Sequence, residues 1–138
     1  MRNLSFEWPN VPIMGKSEIL VQFMTICAAS KHVVLAREAL DTLSNIGCEM
    51  DLMTADGDYM HCLTLKVIAE CLMSDDKHRV LQALEIIGAL CQNERNESIC
   101  AEFVDTNMMN RMFQLTTLKD ILICIYTLET LYQVRSNL

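Results

Sequence analysis

Proline and glycine are scarce, with two prolines (Pro9 and Pro12) and four glycines in 138 residues. That scarcity excludes collagen-like, linker and low-complexity classes. Aromatic residues make up only 6%, and 11 Lys and Arg are outnumbered by 18 Asp and Glu, for a net charge of −7. An acidic chain repels phosphate backbones, so neither nucleic acid nor an anionic membrane is an expected partner of this segment. Long apolar runs are missing too. Stretches such as Ile121 to Tyr126 fall far short of the roughly 18 residues a membrane span needs. Glu7, Trp8 and Pro9 stand where a secretory leader would be apolar, so no leader is expected.

Signatures of chemistry are equally absent. There is no Cys-x-x-Cys, no glycine-rich phosphate loop, no G-x-S-x-G and no H-E-x-x-H. His61-Cys62 and Cys71 come nearest to a ligand cluster, but Cys62 and Cys71 are too far apart on one helix to share an ion. No enzyme activity, cofactor or metal is expected. The seven cysteines (Cys27, Cys48, Cys62, Cys71, Cys91, Cys100 and Cys124) are odd in number and mostly lie within apolar patterns. They read as reduced thiols buried as small hydrophobes, hence a cytosolic or nuclear protein.

What is present is apolar mass, 51% of the chain. Its periodicity predicts an all-α fold. Residues 1–16 are an expected irregular lead-in, broken by Pro9, Pro12 and Gly15, with Phe6 and Trp8 packing on the first helices. Residues 17–138 form the predicted repeat domain. Helices are predicted over 17–29 (Ser17 as N-cap), 32–48, 58–73, 77–92 (capped by Ser74-Asp75-Asp76) and 97–104. A short helix follows Asp105-Thr106-Asn107, and Asp120 opens the last, to about Val134. Residues 48–57 read as a loop.

The strongest signal is an internal repeat. Ala39 to Ile46 aligns with Ala83 to Leu90 and with Thr127 to Val134, at a constant offset of 44 residues. Leu40, Leu84 and Leu128 coincide, as do Leu43, Ile87 and Leu131, and these six are expected to be buried. Such a period lies in the armadillo/HEAT range, so the predicted fold is an all-α solenoid of about three repeats. Two short helices and then a long one at 97–134 favour the three-helix armadillo layout over the two-helix HEAT layout. No polar capping repeat follows the third copy, which makes the chain an expected piece of a longer protein, open at its end through Ile123, Tyr126 or Leu138. Self-association through that end is an allowed outcome.

The acids Asp41, Glu85 and Glu129 also recur at this offset, on the side opposite the apolar stripe. Stacking would align them in a column for a basic partner, with Ile86 and Tyr126 as apolar anchors and Gln82 beside them. The plainer account of such a column is a solvated face. Met108, Met109 and Met112 form a second candidate surface, which core packing explains equally well. A peptide-carrying adaptor for transport or signalling is the alternative function, but its expected ladder of Asn and Trp is poor here: the aligned positions are Asn45, Ala89 and Gln133, and the sole tryptophan is Trp8.

Glu70 to Asp76, continuing through Ala83 to Cys91, resembles a known family, and so do Ile99 to Asp105 and Leu118 to Val134. The resemblance is to the armadillo region of the AT-rich-interaction-domain subunit of polybromo-type SWI/SNF chromatin remodellers, in an insect form. It covers residues 36–135 best. It implies a nuclear, non-catalytic scaffold that organises other remodeller subunits, namely plant-homeodomain, bromodomain and core subunits. The family's DNA-binding domain and zinc fingers have no counterpart in these residues, so DNA binding is not implied here.

Overall fold

The computed structural model describes residues 2–136, with side chains from 4 to 135. Helices α1 (Arg2–Ser5), α2 (Val11–Gly15), α3 (Glu18–Ala28), α4 (Val33–Ile46), α5 (Cys62–Leu72), α6 (Lys77–Gln92), α7 (Glu97–Phe103), α8 (Thr106–Leu115) and α9 (Ile121–Ser136) carry the chain, with short 3-10 turns at Trp8–Asn10, Gly47–Glu49 and Glu94–Asn96. Among the described residues there is no β-strand. A single isolated bridge joins Met53 to Tyr59.

The helix starts are set by side chains that satisfy otherwise orphaned backbone N–H groups. The N–H of Leu20 donates to Ser17 Oγ at 3.3 Å, that of Arg79 to Asp76 Oδ1 at 3.0 Å, and that of Met108 to Asp105 Oδ1 at 2.9 Å. Asp120 Oδ1 accepts from both Leu122 and Ile123. Each such cap stabilises its helix by about 0.5–2 kcal/mol. At the other end of a helix, Arg111 of α8 donates to the carbonyls of Leu72 and Ser74, placing a cation on the negative terminus of α5.

The long helices α4, α6 and α9 pack side by side in that order, α6 in the middle. Helix α5 covers a further side of α6. Val80, Ala83, Leu84, Ile86, Ile87, Gly88, Leu90 and Cys91 of α6 are all buried. The 44-residue register has a physical counterpart. Ala39, Ala83 and Thr127 are buried alike, as are Thr42, Ile86 and Thr130, and then Ile46, Leu90 and Val134. Close approach of α4 to α6 depends on Gly47, where an added Cβ would sit 3.0 Å from Ala89 Cβ.

Several expectations need correction. Leu40, Leu43, Leu84 and Ile87 are buried, but Leu128 is 58% exposed and Leu131 only partly buried. The cause is position. The Leu84–Gly88 face of α6 is covered by α9, whose Thr130 hydroxyl donates to the Leu84 carbonyl at 2.9 Å. The matching face of α9 carries Ile125, Leu128 and Tyr132, all exposed, with no helix of the described residues over it. Ile123 is buried rather than open, and Leu138 lies outside the described residues. Residues 58–61 are not helical. Gly57, at φ +87, and the Thr54 hydroxyl accepting from Asp58 N form a turn that sends the chain back to pair Met60 N with Leu52 O. Where an irregular lead-in was expected, α1 and α2 form, with Pro12 in the first turn of α2, where a missing N–H costs nothing. Val11 and Met14 anchor this lead-in, while Phe6 and Trp8 stay exposed.

The irregular segment between α4 and α5 is held by two asparagines. Asn96 Oδ1 accepts from Leu52 N, and its Nδ2 donates to the carbonyls of Met50 and Leu90. Asn93 Nδ2 donates to the Met50 carbonyl and to Asp51. Buried loop backbone is costly unless its polar groups are paired, and these amides pair it.

The contrast between equivalent leucines gives a direct test. Leu84→Ala is expected to cost about 2–5 kcal/mol through cavity formation. Leu128→Ala should change stability by no more than about 0.5 kcal/mol, as surface substitutions do. Urea denaturation of both variants measures the difference, and equal losses would contradict the burial pattern.

Candidate interaction groove

Because α6 is covered on several sides, Glu85 is the single exposed residue between Arg79 and Cys91. It opens into a groove of about 760 Å³ that crosses α4, α6 and α9. Gly88 and Ala89 of α6 lie in the groove lining. Ser44 and Asn45 bound it from α4, and Tyr126, Glu129, Tyr132 and Gln133 from α9, with Gln92 at the end of α6.

Glu85 is held from α4, where the Ser44 hydroxyl donates to Glu85 Oε2 at 2.8 Å. Tyr126 of α9 lines the groove beside it. Glu85's negative charge raises the Tyr126 pKa above the ordinary tyrosine value, helped by partial desolvation and by the charge of Glu129.

The expected acidic column is only partly present. Glu85 and Glu129 line the groove with Tyr126. Asp41 does not. It is turned into the α4–α6 contact, its Oδ1 3.3 Å from His78 Nε2, within ion-pair distance but not aligned as a hydrogen bond. Gln82 lies outside the groove lining, with its Oε1 buried. Ile86 is completely buried and offers no anchor, because the position next to the acid in the repeat faces the neighbouring helix. Met108 and Met112 are buried and Met109 is packed against the core, so the methionines are core residues of α8 at helical spacing, together with Leu115. The residues that the column reading left out are Ser44, Tyr132 and Gln92, with Asn45 and Gln133 of the aligned amide positions. All lie three to seven residues beyond an acid of the column, on the next turns of the same helices.

The thiols are in reduced form, and Cys27, Cys71, Cys91 and Cys100 are buried. A hydrogen bond with Cys91 and burial keep Cys100 neutral, and burial does the same for Cys71, which disfavours the nucleophilic thiolate. Among the described residues no three His, Cys, Asp or Glu side chains converge on a common point.

The Tyr126 environment is testable. Its phenol should stay protonated to higher pH than an ordinary tyrosine of pKa about 10, since the folded state raises its pKa. Glu85→Gln is expected to bring the titration back down. NMR of the Tyr126 ring across alkaline pH reads this, and an unchanged midpoint in the variant would place Glu85 elsewhere.

No protein-family model matches the chain. It is 36% identical over 136 residues to the SWI/SNF chromatin remodeling complex subunit swsn-7 of Caenorhabditis elegans, covering 97% of this chain and 11% of that protein. It is 35% identical over 134 residues to the AT-rich interactive domain-containing protein 2 of Mus musculus, again over 97% of this chain and 7% of the relative. The chain thus spans about a tenth of the length of these relatives. Across nearly all of its length, groove included, the chain is homologous to one segment of each of these two proteins.

Proposed function

We propose that this chain is a non-catalytic docking module of a SWI/SNF-type chromatin-remodelling subunit, working in the nucleus to hold other subunits of the complex. The observation that carries the reading is the similarity, over 97% of the chain, to a segment of the worm remodelling-complex subunit. An armadillo-like stacking of helical repeats belongs to the same proposal. It is supported by the constant 44-residue offset and by the shared burial at three sets of equivalent positions. The groove across α4, α6 and α9 supplies a concave surface rich in carboxylate, hydroxyl and amide groups, of the kind that receives a protein segment. The plant-homeodomain and bromodomain subunits of the polybromo-type complex are the proposed partners, on the strength of the sequence resemblance.

The test is affinity purification of the tagged chain from nuclear extract, followed by mass spectrometry. Remodelling-complex subunits are expected to be enriched over a helical-domain control of matched charge. Enrichment of none of them would overturn the proposal.

A further inference from the structure

The chemistry of the groove narrows what it receives, an inference that rests on the docking role proposed above. Glu85 and Glu129 face the groove, and neither has a lysine or arginine within ion-pair distance among the described residues. Two of the cations pair with other acids, Lys77 with Asp120 and Arg95 with Asp51. Glu85 is held by the Ser44 hydroxyl of α4, which reduces the ordering entropy to be lost when a ligand arrives. Beside it stands the Tyr126 ring, with the exposed Tyr132 nearly two turns further along α9. The groove, at about 760 Å³, has room for a peptide segment.

We propose that the groove binds an arginine-bearing segment of a partner protein, whose guanidinium bridges Glu85 and Glu129 beside the Tyr126 ring. Charge complementarity calls for a cation, and the net charge of −7 draws one in from a distance. Two carboxylates flanking an aromatic ring select the planar, multidentate guanidinium over the compact ammonium of lysine. The guanidinium reaches both acids at once and stacks on the ring.

The test uses the full chain and three fluorescein-labelled peptides in which serine alternates with arginine, with lysine or with citrulline, the neutral isostere of arginine. Fluorescence anisotropy is read at about 0.15 M salt, where exposed charges beyond the Debye length are screened. The arginine peptide should bind about fivefold or more tightly than the lysine peptide, and the citrulline peptide should not bind measurably. Glu85→Gln with Glu129→Gln should weaken the arginine peptide about tenfold or more. Glu70→Gln with Glu97→Gln makes the same charge change at exposed sites outside the groove and should cost less than about twofold. If the groove pair loses helicity by circular dichroism, Glu129→Gln alone carries the comparison, because that residue is exposed. Equal losses in the two double variants would mean a long-range field without a site, and equal binding of arginine and lysine would remove the guanidinium bridge. Either result overturns the proposal, as does no binding at all. Failure here with remodeller subunits still co-purifying refutes the ligand alone. Peptide binding without co-purification refutes the docking role in the complex instead.

Discussion

Everything in this chain is arranged around the burial of α6. It lies between α4 and α9 with α5 against a further side, so its large apolar side chains leave water almost entirely. Full burial of each is worth about 1.5–3 kcal/mol relative to exposure, and no other helix collects as many. The same enclosure decides where polarity can go. A helix covered from several directions has few outward positions, and here the outward position at its middle is Glu85. The groove is therefore a by-product of how the core is filled: its carboxylate occupies the gap between two covering helices, and the hydroxyl that holds it comes from α4.

The sequence made much of this legible, for identifiable reasons. Ser17, Asp76, Asp105 and Asp120 announce helix starts because an oxygen one residue before a helix has a local partner, whatever the tertiary structure. The recurrence of Leu40, Leu84 and Leu128 marks equivalent positions, but equivalence is not burial. Burial depends on a neighbour, and α9 has none among the described residues on the face of Leu128. Ile86 and Asp41 failed as surface residues for the converse reason, since sequence periodicity tells apolar from polar sides but not which polar-side position meets the next helix. The loop at 48–57 was legible, but its continuation through 58–61 was hidden because the residues after Gly57 are compatible with helix, and what prevents helix is pairing back onto Leu52. The clamp by Asn93 and Asn96 joins residues more than forty apart, which no local pattern encodes.

Two surfaces with opposite chemistry sit on α9. One side, with Tyr126, Glu129 and Gln133, faces the groove and is polar and charged. The other is the exposed stripe Ile121, Ile125, Leu128 and Tyr132, spaced so that they share a face, whose last two residues reach the groove as well. A helix apolar on both its inner and outer faces is suited to the interior of a larger body, and the great length of the two relatives beyond the matched segment is compatible with that. The contrast matters for how a partner is recognised: fixed carboxylates discriminate between side chains, whereas an aliphatic stripe rewards area with little regard to identity.

Gly47 sits outside the groove, one residue past the end of α4 and three past Ser44. Only 3.0 Å separates the site of its missing methyl from Ala89 Cβ of α6. A bulkier residue there would press the end of α4 away from α6. The Ser44 hydroxyl would be drawn off Glu85, and the carboxylate would lose the hydrogen bond that orients it. The central charge of the groove is thus kept in place by the absence of a side chain at a position that never meets the ligand.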